Sequence, residues 1–213
     1  MNYYFPIFGL FIIFIIWFTY ERKKASRLER QAKEDFWQKE AAANNVRRVP
    51  LDSLTYVKVE DSILLSSLSA KDCNDAVLLK CNDTLLELKE KRMFKLTGMT
   101  STDIKLTYGP ANLNALDEYD TNYTLFVKTL YEFGSRLNEL GFKEDAIRVL
   151  EFGIDSLTDI SGNYKLLADL YIEKNQPEKL GHLMETCEKL NSLNKKSIKK
   201  YLDDAKSTSS SIL

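Results

Sequence analysis

The sequence predicts an all-α protein in which an N-terminal transmembrane helix precedes an α-helical domain. An uncharged apolar run extends from Tyr3 to Tyr20, and strong helix formers follow it directly. Apolar residues then recur at helical spacing through most of the remaining chain. The 213 residues include only 8 Gly and 4 Pro, which excludes a collagen-like or broadly disordered chain and leaves room for one domain with an appendage.

Composition also limits the classes of partner. The formal net charge is -1, so the chain lacks the basic excess with which nucleic-acid binders neutralise phosphates, and no nucleic acid is expected as a partner. The chain has three cysteines, Cys73, Cys81 and Cys187. They are too few for a disulfide framework, and their odd number leaves at least one unpaired. Unpaired thiols favour a reducing compartment.

The apolar run carries the prediction of a membrane anchor over residues 1–20. As a helix it would be roughly 27 Å long at about 1.5 Å per residue, and Trp17 and Tyr20 would lie at the headgroup level. A cleaved signal peptide would require a basic segment before the apolar run, and none precedes this one. Basic residues follow it, which predicts an outside N-terminus and a cytoplasmic C-terminal part; they are Arg22, Lys23, Lys24, Arg27 and Arg30.

Residues 21–48 are predicted to form a basic juxtamembrane helix that ends near Asn44 and Asn45. The five basic residues just named, among nine lysines and arginines in this segment, are candidates for contact with anionic lipid. The alternative is a solvated helix that continues straight out of the span. Residues 49–71 are predicted to be a connector, because Pro50 stops a helix and Thr55–Val59 alternates like a short extended segment.

An α-helical domain is predicted over 72–206, with a flexible tail over 207–213. Its first helical pattern comes in two pieces, the second capped among residues 82–84 and ended by Gly98. A short helix then starts at Ser101 and is interrupted at Gly109–Pro110.

Self-comparison at an offset of 34 residues aligns 127–160 with 161–194. Apolar or small residues match in pairs: Leu130 with Tyr164, Phe133 with Leu167, Gly134 with Ala168, Leu137 with Tyr171, Ala146 with Leu180, Leu150 with Met184, and Gly153 with Cys187. This pattern resembles the tetratricopeptide repeat, although Leu180 and Asn175 depart from it and make the second copy degenerate. The alternative is a pair of ordinary helical hairpins that share a period.

The tetratricopeptide resemblance implies a concave surface lined by the first helix of each repeat. Carried over by position, this surface consists of Lys128, Tyr131, Ser135 and Asn138 in the first copy and Lys165, Asp169 and Ile172 in the second. Such mixed polarity suits a peptide or helix of a protein partner. In so short an array, the alternative is that this face packs on the chain's own helices.

Two further blocks, NNVRRVPLDSLTYVKV and LTGMTSTDIKLTYGPANLNALDEYD, resemble segments of single-span bacterial membrane proteins that carry a similar repeat domain. This resemblance implies an architecture and a location in the bacterial plasma membrane. It implies no activity.

Catalytic chemistry finds little support in the sequence. His182 is the one histidine, and no nucleophile motif accompanies it. Cys73 and Cys81 lack CxxC spacing, and the common nucleotide-binding and zinc-hydrolase motifs are missing. We therefore predict no catalytic residue, metal or cofactor, and a non-enzymatic scaffold or adaptor that presents its repeat domain in the cytoplasm. The alternative is an accessory subunit held in a larger membrane complex through its transmembrane helix.

Overall fold

The computed structural model describes residues 4–210, and their side chains except those of residues 4–8, 177 and 208–210. Within this range the secondary structure is helical, apart from one isolated bridge between Val57 and Met93. The chain forms two compact units. Unit 1 comprises Met1–Pro50 and Thr100–Leu113, and unit 2 comprises Leu51–Met99 and Asn114–Leu213.

The first helix, α1, runs from Tyr4 to Asn44 and corrects the prediction of a transmembrane anchor. Among the described residues, none of the helices is both long and apolar enough to cross a bilayer, so the predicted span and the single-pass membrane localisation are wrong. The uncharged part of α1 within the described residues, Tyr4 to Tyr20, rises about 25 Å, whereas a bilayer core is about 30 Å thick. Glu21 and Arg22 follow at once, and Tyr3, where the predicted span starts, lies outside the described residues.

In unit 1, α1 packs against α3 (Ser101–Tyr108). The start of α3 is a capping box. The Thr100 hydroxyl oxygen accepts a hydrogen bond from the Asp103 N–H, and the Asp103 carboxylate accepts one from the Thr100 N–H. Lys39 of α1 pairs with Asp103 at 2.7 Å, and Glu40 accepts hydrogen bonds from Thr102 and Lys105. Charged pairs therefore hold the basic part of α1 against α3.

The predicted interruption after α3 is confirmed at Gly109, where φ is +86° and a 3-10 turn begins at Pro110. A Cβ atom on Gly109 would lie 2.7 Å from the carbonyl oxygen of Arg47, so both the backbone angle and the space require glycine. Asn112, fully buried, donates to the carbonyls of Val49 and Tyr108 at 2.7 Å each. This asparagine closes the C-terminal end of unit 1.

In unit 2, α2 runs without a break from Ala76 to Lys89, so the predicted division at residues 82–84 is wrong. Asp75 caps the helix by accepting from the backbone N–H groups of Val77 and Leu78. The helix ends at Lys89, well before Gly98, and Met93 is buried in extended backbone, where its carbonyl accepts from Val57 N–H at 3.0 Å. Gly98, at φ +88°, lies in a later turn.

The remaining helices follow the predicted order. They are α4 (Leu113–Glu139), α5 (Lys143–Asp155), α6 (Ser161–Glu173), α7 (Leu180–Glu188) and α8 (Lys195–Ser210). The segment 127–160 thus holds the end of α4 together with α5, and 161–194 holds α6 and α7. Helix α8 extends into the segment predicted to be a flexible tail, and residues 211–213 lie outside the described residues.

Candidate functional site

The two 34-residue segments each fold into a pair of packed helices. In the first pair, a Cβ atom on Gly134 of α4 would lie 2.7 Å from Cγ of Leu150 on α5, so glycine permits a very close approach. The turn between these helices contains Gly141 at φ +88°, and the second pair has Asn175 at φ +57° at the matching place. The matched positions Leu137 and Tyr171 are both buried.

The α4 part of the predicted surface forms a single row. Residues 128, 131, 135 and 138 are spaced by three or four and so share one helix face. Lys128 is exposed, and Ser135 and Asn138 are half-buried; none of the three side chains makes a hydrogen bond or an ion pair with any described residue. The Tyr131 ring lies against Gly162, where an added Cβ atom would approach the ring to 2.5 Å.

The α6 part of the predicted surface makes contacts within the chain, although Asp169 itself is exposed. Tyr201 of α8 donates a hydrogen bond of 2.6 Å to Asp169, and the Lys165 ammonium lies 5.4 Å from the centroid of the Tyr201 ring. The hydrogen bond to Asp169, together with partial burial, raises the pKa of Tyr201 to about 12. Ile172 packs against the hydrophobic core, as does Tyr131 on the α4 half. The structure therefore leaves the two halves of the surface in different states.

Sequence reasoning missed the role of Tyr201, although a signal was present. A further step of 34 residues aligns Tyr164 with Ile198, Leu167 with Tyr201 and Ala168 with Leu202. Ile198 and Leu202 are fully buried, and α8 packs against both α6 and α7. Helix α8 therefore stands where the first helix of a third repeat would stand.

Beside the α4 part of the surface, an ion pair attaches α2 to α4. Arg136 of α4 donates to Asp75 through Nη2 at 2.7 Å and Nε at 3.2 Å, and through Nη1 to Glu139 at 2.8 Å. The guanidinium holds the pKa of Asp75 down at about 2. This bidentate pair attaches the start of α2 to α4 beside the row that contains Ser135.

The chemically reactive residues are dispersed or inert. Burial raises the pKa of the Cys81 thiol to about 11 and also raises that of Cys187, so neither is a ready nucleophile. His182 is exposed on α7. Over the part of the chain that the structure describes, no group of three histidine, cysteine or acidic side chains is placed to hold a metal ion.

Comparison with protein-family models, with curated proteins and with solved structures found no match. The resemblances to tetratricopeptide repeats and to single-span bacterial proteins therefore stay predictions. What the structure contributes is the helical pairing of the two segments and the contacts of Tyr201 with Lys165 and Asp169 on the α6 half.

Proposed function

We propose that the protein is a non-enzymatic interaction module, a scaffold or adaptor, whose helical domain binds a peptide or helix of a protein partner along α4. The observation that carries the proposal is the row of Lys128, Ser135 and Asn138 beside the Tyr131 ring. These polar side chains have no hydrogen-bonding or ionic partner among the described residues, yet they stand on a tightly packed helix pair.

Rigidity of the support favours binding by such a row. Behind it, Leu130, Phe133 and Leu137 are fully buried, so the backbone of α4 is fixed before any ligand arrives. Binding then costs little ordering of the protein. Tyrosine is enriched at the centres of protein interfaces and polar groups at the rim, so Tyr131 is the expected anchor and the polar side chains beside it supply the rim.

The ligand would contact α4 rather than the whole predicted surface. Tyr201 already satisfies Asp169 and covers Lys165, so the α6 half offers fewer free groups. A short segment of the partner is therefore enough to fill the α4 half. The alternative of an accessory subunit held by a transmembrane helix loses its basis together with that helix.

The proposal is tested by photocrosslinking in cells from position 135, with a matched probe at Arg148, an exposed residue of α5. We expect the probe at 135 to capture one protein that the probe at 148 does not. That protein is then purified, and its affinity is measured for the wild-type chain and for the Asn138→Ala variant.

The Asn138→Ala variant should bind the captured protein about tenfold more weakly, as expected for a side chain near the centre of an interface. Lys196→Ala, which removes an exposed side chain of α8, should leave the affinity unchanged. Equal capture from positions 135 and 148, or equal affinity of both variants, would contradict the proposal.

A further inference from the structure

A pocket lies where α5, α6 and α7 meet, away from the row on α4. Its volume is about 240 Å³, and it is lined by Glu151, Ile154, Asp155, Leu167, Tyr171, Lys179, His182 and Leu183. Pockets for drug-sized ligands and cofactors start at about 300 Å³. The size of this one therefore matches a single long side chain.

The pocket has an apolar floor and a charged rim. Ile154, Leu167 and Leu183 are buried and form the floor, whereas Asp155 and His182 are exposed. An occupant that fits both parts needs an aliphatic stem and a polar head.

The charges of the rim decide the sign of that head. Glu151 accepts a hydrogen bond from Tyr171 at 2.7 Å and one from Lys179 at 3.0 Å, and the Lys179 ammonium also lies 5.1 Å from the centroid of the Tyr171 ring. Glu151 and Lys179 thus neutralise each other. Asp155 pairs with none of the described residues, so one negative charge is left uncompensated.

His182 narrows the choice of cation further. Its side chain makes no hydrogen bond with any described residue, and a neutral imidazole can accept one from a donor in the pocket. A planar guanidinium offers donors in several directions and can reach a carboxylate and an imidazole together, which a single ammonium does less well. A bound metal ion is not supported, since the described residues hold no suitable group of three ligands.

We propose that this pocket binds an arginine side chain of a protein partner, with the guanidinium paired to Asp155 and the stem lying on Leu183 and Ile154. The site is separate from the row on α4, so it stands or falls independently of the proposed function. It supplies a second contact, specific for a basic residue.

The experiment is a titration of the full chain with N-acetyl-arginine-N-methylamide as the probe. The neutral isostere N-acetyl-citrulline-N-methylamide serves as the matched ligand. Binding is followed by the NMR signals of His182, which need no assignment because the chain has one histidine. We expect saturable shifts with the arginine probe and at least threefold weaker binding of the citrulline probe.

Two substitutions should move the affinity for the arginine probe in opposite directions. Asp155→Asn should weaken binding about threefold to fivefold, in the range of an exposed ion pair. Lys179→Met should strengthen it, because it frees Glu151 for the ligand. Asp117→Asn, which neutralises an exposed carboxylate of α4, is the control and should leave binding unchanged.

Several results would overturn the proposal. These are equal affinity for the arginine and citrulline probes, no shift of the His182 signals at any probe concentration, and a loss in Asp117→Asn as large as that in Asp155→Asn. Lys128→Ala removes a side chain of the α4 row and should not alter the arginine titration. A failure at one site is thereby distinguished from a failure at the other.

Discussion

The α4/α5 and α6/α7 pairs share the 34-residue spacing but differ in the size and burial of the residues at the matched contact positions. In α4/α5, Gly134 lies directly against Leu150, which is fully buried. In α6/α7 the residues that match them are Ala168 and Met184, and Met184 is only half-buried. Spacing alone therefore sets which positions face the partner helix, whereas side-chain size sets how closely the helices approach.

The two pairs also differ in what flanks their first helix. A bidentate ion pair between Arg136 and Asp75 attaches α2 to α4, and a neutral hydroxyl hydrogen bond from Tyr201 to Asp169 attaches α8 to α6. Only the second contact lies on the predicted binding surface. Asp169 on the α6 half therefore has a partner within the chain, whereas the polar side chains of the row on α4 have none among the described residues.

The largest effect is expected from truncating the matched residues Leu150 and Met184. Leu150→Ala should lower the free energy of unfolding by about 3 kcal/mol, because it leaves a cavity beside Gly134, whereas Met184→Ala should cost about 1 kcal/mol. Urea unfolding followed by circular dichroism measures both. Equal losses in the two variants would show that the pairs are packed alike and would remove the first half of the comparison.

A second substitution tests whether Gly134 is needed for close approach or only tolerated. Gly134→Ala gains about 1 kcal/mol from helix propensity but places a methyl group against Leu150, an overlap that costs about 1 to 3 kcal/mol. We expect net destabilisation in the wild-type background.

In the Leu150→Ala background the same Gly134→Ala change should stabilise the chain, because the space has been emptied. A double-mutant cycle from urea unfolding measures this change of sign as a coupling energy. Additive effects of the two changes would mean that Leu150 moves aside freely and that the contact is loose.

The sequence predicted the features that depend on neighbouring residues and missed those that depend on contacts between distant parts of the chain. The α4/α5 and α6/α7 pairs were predictable because apolar spacing and the glycine at 141 act within a few residues. The extent of α2 was not, since the apolar spacing runs on past Lys89 to Met93, which instead pairs with Val57, far away in the chain. The candidate surface was predicted by position, but its contact with Tyr201 depends on a helix beyond both repeats.

The apolar N-terminal segment shows a different kind of failure. Its composition predicts a span from Tyr3 to Tyr20, and the prediction treats hydropathy as sufficient. In the described part of α1 the apolar residues stop at Tyr20 and the helix continues as a charged one to Asn44, held against α3 by Lys39 and Glu40. The packing of that charged half was not visible in the sequence pattern.

Lowering the pH tests the contribution of the ion pair between Asp75 and Arg136, which attaches α2 to α4. The pKa of Asp75 is depressed from 3.8 to about 2 in the folded chain, so its contribution to stability is present above pH 4 and is lost as the pH falls towards 2. Asp75→Asn keeps an oxygen that can cap α2 but loses the ion pair with Arg136. The stability difference between the wild type and this variant should therefore be constant above pH 4 and should shrink below it.

Urea midpoints measured from pH 6 to pH 2 test this prediction for the α2 flank. Glu139→Gln, which removes the exposed partner of Arg136, should keep the wild-type dependence on pH. A difference between the wild type and Asp75→Asn that persists at pH 2 would show that the ion pair is not what attaches α2 to α4.

The smallest effect concerns the hydroxyl groups on the two halves of the surface. Tyr201→Phe should cost about 0.5 to 1 kcal/mol near neutral pH, because Asp169 loses a hydrogen bond, while Tyr131→Phe should cost nothing measurable, since the Tyr131 hydroxyl donates to none of the described residues. The raised pKa of Tyr201, about 12 against an ordinary 10, means that its contribution is complete below pH 10 and is lost as the pH rises towards 12. Urea midpoints at pH 7 and pH 11 measure both variants. A cost for Tyr131→Phe equal to that for Tyr201→Phe would mean that the Tyr131 hydroxyl is also bonded within the chain, so that the α4 half is not free to bind a partner.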